Sequence, residues 1–232
     1  MKIIVKDDIK YTIDESLFPF KVAISLKSES VNSGDMSYNF DENIKNRENL
    51  FKSLKICDKK LIRNKQIHSN YIVKADYNRV QEADGLISDK YEYVLMLLTA
   101  DCYNLFFTTD GGRLFGSVHA GWKGIENGII GKMKDNFKGE TKVLIAQGIC
   151  KEHFTVQNEI AKNFDKNFGP KWVERKENIS VDLRGIINDE LRNSGEIFNL
   201  HLCNVCNKDK LFSFRENDKK HRNLSLIWRD DE

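Results

Sequence analysis

The chain has 232 residues, and its 37 basic and 35 acidic side chains leave a formal charge of +2. That balance excludes a nucleic-acid binder built on a basic face, which needs clustered cations to meet phosphates. Lys219-Lys220-His221-Arg222, the richest basic cluster, is read as a solvated loop. Five cysteines are too few for a disulfide scaffold, and the first residues lack the apolar stretch of a signal peptide, so reduced thiols in a cytoplasmic protein are expected. The best apolar run, Tyr93 to Leu98, is far short of the roughly 20 residues of a membrane span.

In chain order, Lys2–Val5 and Tyr11–Ile13 predict a hairpin around Asp7-Asp8, and Phe20–Leu26 a further strand. Ser33-Gly34-Asp35 is a turn, and 41–54 a helix with Asp41 as N-cap. Gln66–Val73 alternates and predicts a strand. Tyr93–Leu98, Asn104–Thr108 and Leu114–His119 predict three more, the last two joined by Asp110-Gly111-Gly112. Trp122, Ile125, Ile129, Ile130, Met133 and Phe137 form one helical stripe. Lys142–Ala146 reads as a strand, and Val156, Ile160, Phe164 and Phe168 as a helix. Leu183–Leu191, opened by Asp182 and closed by Gly195, is another helix. Ile197–Leu202 and Leu224–Trp228 close the chain as strands. No repeat or linker interrupts the pattern. The expectation is a single α+β domain over residues 1–232, with mixed β-sheets flanked by helices.

Three residues in the middle suggest a metal. His68 lies in the Gln66–Val73 segment, while Cys102 and His119 end strand-like runs. Imidazole and thiolate suit zinc, and a three-ligand site leaves a fourth position for water, whose proton a metal makes easier to lose. The separations form no compact metal motif, so hydrogen-bonded histidines and a buried cysteine stand as the alternative.

Gln66-Ile67-His68, Ala83-Asp84-Gly85-Leu86-Ile87, Thr99-Ala100-Asp101-Cys102 and Val118-His119-Ala120-Gly121-Trp122-Lys123-Gly124 together resemble the ordered motifs of the laccase-domain (YfiH-like) purine nucleoside phosphorylases. Gly34-Asp35, Asn46-Arg47, Val181-Asp182-Leu183 and Leu211–Arg215 extend the resemblance over nearly the whole chain. It implies one zinc held by His68, Cys102 and His119. The implied reaction converts adenosine or inosine plus phosphate to base and ribose 1-phosphate. Methylthioadenosine phosphorolysis and adenosine deamination are attributed to the same family. The chain departs from the pattern at Gln147-Gly148-Ile149, at Phe154-Thr155-Val156, at Lys123 in place of Arg, and at Arg215, where a double Arg is reduced to one.

For such a reaction Asp101, Cys102 and His119 are the candidate catalytic residues. Asp101 is either a proton carrier or an acceptor that ties down a loop or orients His119. Arg47, Arg63, Lys123 and Arg215 are the candidate phosphate-binding cations. Other readings use the same residues. Cys102 with His119 as base would make a cysteine hydrolase. Copper also accepts two His and one Cys, but Met96 and Met133 read as core rather than as axial ligands. Five histidines are too few for a four-copper oxidase. A purine-sensing module would keep the pocket and lose the metal. Cys57 and Cys150 read as structural, Cys203 and Cys206 as small packing residues despite their Cys-x-x-Cys spacing, and His153, His201 and His221 as surface or loop residues. Oligomeric state is not legible.

Overall fold

The computed structural model describes residues 2–230. Its elements run β1 (Ile3–Lys6), β2 (Ile9–Asp14), β3 (Phe20–Leu26), α1 (Asn43–Leu54), β4 (Lys60–Arg63), β5 (Ile72–Lys74), β6 (Gly85–Ser88), β7 (Tyr93–Thr99), β8 (Tyr103–Thr109) and β9 (Phe115–Ala120). The second half carries α2 (Trp122–Glu126), α3 (Ile129–Asp135), β10 (Thr141–Gly148), α4 (Asn158–Phe168), β11 (Val173–Arg175), β12 (Ile179–Val181), α5 (Leu183–Glu190), β13 (Glu196–Cys203) and β14 (Asn223–Arg229).

Two six-stranded mixed sheets dominate, in the orders β1-β2-β3-β14-β7-β4 and β13-β10-β8-β9-β6-β5. The pairs β4/β7, β5/β6 and β10/β13 are parallel, and the other pairs in these sheets are antiparallel. The period-2 pleat sorts the side chains into three cores. In β7, Tyr93, Leu95 and Leu97 meet Phe106, Phe115 and Leu144 between the sheets. Val94 and Met96 of the same strand point the other way, against Leu50, Phe51 and Leu54 of α1. Tyr103, Leu105, Phe107, Val143 and Ile145 face the helical layer of α2, α3, α4 and α5. The central strands are apolar on both faces, so they read as continuous runs rather than alternations. The result is an α+β sandwich, helix–sheet–sheet–helices. No helix among the described residues is long and apolar enough to cross a membrane.

Most expected elements are present. The first hairpin turns at Asp7 and Asp8, both at positive φ, and the Asp182 carboxylate caps α5 by accepting the Gly185 N–H at 2.8 Å. Four expectations change. The stripe from Trp122 to Phe137 is two helices, because Gly128 takes φ 77 and ends α2 before α3 begins. Its apolar positions still face the second sheet, which is why the periodicity survives the break. The helix after residue 41 begins at Asn43, and no side chain caps it. Gln66–Tyr71 is not strand, for a reason given below. Strands β4, β6, β11 and β12, of three or four residues each, were not expected and are too short to carry a pattern of their own.

Candidate functional site

The site lies at the C-terminal ends of β7, β9 and β10. Strand β7 belongs to the first sheet and β8 to the second, and residues 100–102 are the tight crossing between them. Asp101 makes that crossing at φ 88, a left-handed conformation costly for a residue with a Cβ. The turn carries Cys102 toward His119, the penultimate residue of β9. His68 comes from the other side at φ 59, also left-handed. Two of the few such residues in the chain therefore flank one point.

Asp84 explains the shape of the His68 segment. It is fully buried. Its carboxylate accepts the backbone N–H groups of Ile67 (3.3 Å), His68 (3.1 Å) and Ser69 (2.6 Å), and the Ser69 hydroxyl at 2.7 Å. Three successive amides turned onto one carboxylate cannot serve a strand ladder, so the alternation of Gln66–Val73 yields to this side chain. Gln66 stands in for the missing ladder. Its amide donates to Leu98 O and accepts from Leu98 N–H, both at 2.8 Å, pinning the segment to β7. Asp84 Oδ1 also meets His119 Nδ1 at 2.8 Å. By donating Nδ1–H to this carboxylate the ring presents Nε2 to the cavity, the usual orientation of a metal-binding histidine. Burial works against the Asp84 charge, but the bonds from His119 and Ser69 outweigh it and hold the carboxyl below its usual range.

The donor atoms of His68, Cys102 and His119 all lie within 4.8 Å of one another. Cys102 Sγ is 3.8 Å from His68 Nε2. A tetrahedral zinc, with Zn–S about 2.3 Å and Zn–N about 2.0–2.1 Å, sets a sulfur–nitrogen separation of about 3.5 Å, so the set fits one ion. The space above it is kept by Gly121, where an added Cβ would stand 2.8 Å from His68 Cδ2 and 3.2 Å from Cys102 Sγ. Burial would raise the Cys102 thiol, yet the facing imidazoles of His119 and His68 bring it down, toward the thiolate a metal requires. Among the described residues no methionine lines the cavity; Met96 and Met133 sit in the two outer cores.

The three residues open into a cavity of about 630 Å³, in the range of small-molecule sites. A more open depression of about 530 Å³, lined by Asn70, Tyr71, Lys132 and Asp135 among others, holds no histidine or cysteine. Trp122, Phe154 and Phe214 give the first cavity aromatic walls, and Tyr38, Arg63, Arg215 and Arg222 a polar rim. The expected cations divide. Arg63 and Arg215 line the cavity. The guanidinium of Arg63 lies 4.2 Å from the Tyr38 ring centre. That of Arg215 donates to Thr155 O at 2.9 Å and Thr155 Oγ1 at 3.2 Å. Arg47 is buried behind the wall. It donates to Met36 O and Ser37 O, and its guanidinium lies 4.1 Å from the Tyr38 ring. Lys123 is exposed on α2, its ammonium 5.5 Å from the Trp122 ring centre, and is not on the cavity wall.

Asp101 lines the cavity, and its Oδ2 accepts the Arg215 N–H at 2.9 Å. Its buried Oδ1 has no protein partner. Burial pushes its carboxyl upward, against the hydrogen bonds from Ser213 and Arg215. It does not orient His119; Asp84 does. Asp84 was visible only as part of the Ala83-Asp84-Gly85 motif, and Tyr38 left no sequence signal. Arg222, expected in a solvated loop, is turned onto the carbonyls of Lys219 and His221 and reaches the rim.

A second convergence brings together three of the four remaining cysteines; Cys57 is exposed and stands apart. Cys150, His153, Cys203 and Cys206 bring their ligand atoms within 4.8 Å of one another. Cys203 is buried in the core with Cys150 packed against it, as the packing reading expects, but the four also converge, which their sequence positions did not announce.

Fold and site together define a two-sheet sandwich with a His–Cys–His centre at the strand ends. The family described as "Multi-copper polyphenol oxidoreductase laccase" matches residues 23–230, and the chain belongs to it. It is 28% identical over 206 residues to a purine nucleoside phosphorylase of Campylobacter jejuni, covering 84% of this chain and 88% of the relative. A purine nucleoside phosphorylase of Haemophilus influenzae is also 28% identical, over 70% of this chain and 72% of its own. In fold it is similar to YfiH of Bacillus licheniformis, with a TM-score of 0.84 at 22% identity over 97% of both chains. YlmD of Geobacillus stearothermophilus gives 0.83 at 22% identity, over 92% of this chain and 93% of that one.

Proposed function

We propose that the protein is a metal-dependent purine nucleoside phosphorylase acting on adenosine or inosine and phosphate, with His68, Cys102 and His119 holding one zinc. The observation that carries this reading is the His–Cys–His set, oriented by Asp84, at the floor of a nucleoside-sized cavity rimmed by arginines. The curated relatives named as purine nucleoside phosphorylases support it. A bound zinc would supply Lewis acidity at the cavity floor.

The chain's own residues do the rest. Trp122, Phe154 and Phe214 offer aromatic faces to the base. Arg63 and Arg215 hold the phosphate, Arg63 steadied by the Tyr38 ring that Arg47 supports from behind. As phosphate oxygen bonds to the anomeric carbon, the bond to the purine nitrogen breaks and the base leaves with the electron pair. Asp101, whose buried Oδ1 has no hydrogen-bond partner among the described residues, is the carboxyl placed to pass a proton to the departing base. Phosphorolysis of methylthioadenosine and deamination of adenosine would use the same cavity. The five cysteines, all free, suit a reducing cytoplasm.

Chromatography of adenosine and inosine reactions, with and without phosphate, tests the proposal. Free base and ribose 1-phosphate formed only with phosphate are expected. Inosine formed from adenosine without phosphate would show deamination in addition. Failure to turn over either nucleoside sinks the reading.

One geometric fact favours a second reading. Cys102, His119 and Asp84 stand in the order of a thiol, a base and its orienting acid, the arrangement of a cysteine hydrolase. A chelator separates the two, because it abolishes the metal-dependent reaction and leaves a thiolate hydrolase active.

A further inference from the structure

We propose that Cys150, His153, Cys203 and Cys206 form a second metal site, a closed structural zinc site separate from the cavity. The residues come from two neighbouring turns. Strands β10 and β13 pair in parallel up to Gly148 and Cys203, so the chain leaves both strands at the same end of the sheet. Cys150 and His153 lie on the turn after β10, closed by the His153 and Phe154 N–H groups on Cys150 O. Cys203 ends β13, and Cys206 lies in the next turn, closed by Asn207 on Cys203 O.

The donor spacing suits an ion, with three of the four closest separations near the tetrahedral values and the fourth shorter. In a tetrahedron with Zn–S about 2.3 Å and Zn–N about 2.0–2.1 Å, sulfurs stand about 3.8 Å apart and sulfur and nitrogen about 3.5 Å apart. Cys150 Sγ and Cys206 Sγ are 3.8 Å apart. His153 Nδ1 is 3.1 Å from Cys150 Sγ, 3.6 Å from Cys206 Sγ and 3.8 Å from Cys203 Sγ. All four donor atoms lie within 4.8 Å of one another, the imidazole through Nδ1. The Cys150 N–H also points at Cys203 Sγ, at 3.3 Å, and such a donor stabilises thiolate charge. A disulfide is a poorer use of the cluster, since it would employ two of three thiols and leave the third beside the imidazole. Three soft thiolates and one imidazole select zinc over the hard cations.

The metal would have a mechanical task. The turn it clamps is flanked by Ile149 and Phe154, both on the cavity wall, and by Thr155, which holds the Arg215 guanidinium. Tying residues 150–153 to 203–206 fixes that wall to the end of the sheet.

Metal analysis and native mass spectrometry of the purified full chain test the site. Two zinc ions per chain are expected in the wild type, and one each in Cys102→Ser and Cys206→Ser. X-ray absorption of the zinc in Cys102→Ser should give three sulfurs and one nitrogen. A measurement on the wild type guards against misfolded variants. Alkylation before and after chelation should spare Cys150, Cys203 and Cys206 until the metal is removed, with exposed Cys57 modified throughout. A single zinc in zinc-supplemented wild-type protein that vanishes in Cys102→Ser would overturn the proposal. So would alkylation of the three cysteines at the Cys57 rate, or a disulfide between any two of them in freshly purified protein.

Discussion

The two cysteine–histidine clusters lie at the same end of the sandwich, yet they differ in donor number and in what surrounds them. The cavity cluster has three donors, from a segment held by Asp84, a crossing between sheets and a strand end. Its open side faces about 630 Å³ of aromatic and cationic wall. The second cluster has four donors from two adjacent turns, with no open position in a tetrahedron. The first needs an outer carboxylate to aim its histidine, whereas the second relies on short turns at paired strand ends. On the proposed readings, ligand number and what surrounds the ligands, rather than ligand type, would separate a reactive centre from a clamp.

The comparison breaks most sharply at Cys102. Cys102→Ala is expected to cost about 10³-fold or more in kcat/KM, since the several kcal/mol a metal supplies convert at about 1.4 kcal/mol per decade. Metal analysis should then show the clamp still loaded; loss of both ions would mean the two sites are one cooperative unit. Asp84→Asn should weaken metal binding or activity about 10–100-fold, as loss of an orienting carboxylate does, read by competition with a chelating dye. Arg63→Ala and Arg215→Ala should each raise the KM for phosphate by about 10-fold or more, the equivalent of one charge-assisted hydrogen bond. An unchanged phosphate KM with a raised nucleoside KM would move these arginines to the base or sugar.

The smallest effect lies outside both clusters. Glu190 ends α5 with a buried Oε2 that has no partner, and burial raises its carboxyl from 4.5 to about 7, against the pull of Lys134. The folded state therefore holds a proton that the unfolded chain releases. This contribution to stability is complete below about 4.5 and lost as pH rises to about 7. Melting curves should show the wild type losing a few degrees across that interval and Glu190→Gln losing less, with metal content unchanged. Equal slopes would remove Glu190 as the cause.

Much of the fold was legible because burial imprints itself on the chain. The runs at Phe20–Leu26, Tyr93–Leu98 and Leu224–Trp228 are apolar because both faces of those strands are covered. The helical stripe from Trp122 was read with the right face and the wrong continuity, since periodicity records which side is buried and not where Gly128 bends the backbone. Of the strand expected over Gln66–Val73 only Ile72 and Val73 are strand, in β5, and Gln66–Tyr71 fails for a different reason. A single distant carboxylate outbids local propensity there, and nothing in residues 66–71 announces it.

By itself the sequence determined an α+β chain of mixed sheets flanked by helices and, through its motifs, singled out His68, Cys102 and His119 as candidates, because side-chain type and hydrophobic period are properties of the chain. The tertiary structure alone decided which residues meet. It gave His119 to Asp84 rather than Asp101, put Arg63 and Arg215 but not Arg47 or Lys123 on the cavity wall, and drew Cys150 and His153 against Cys203 and Cys206. These are contacts between residues far apart in the chain, fixed by strand order and register, and local sequence carries no record of either.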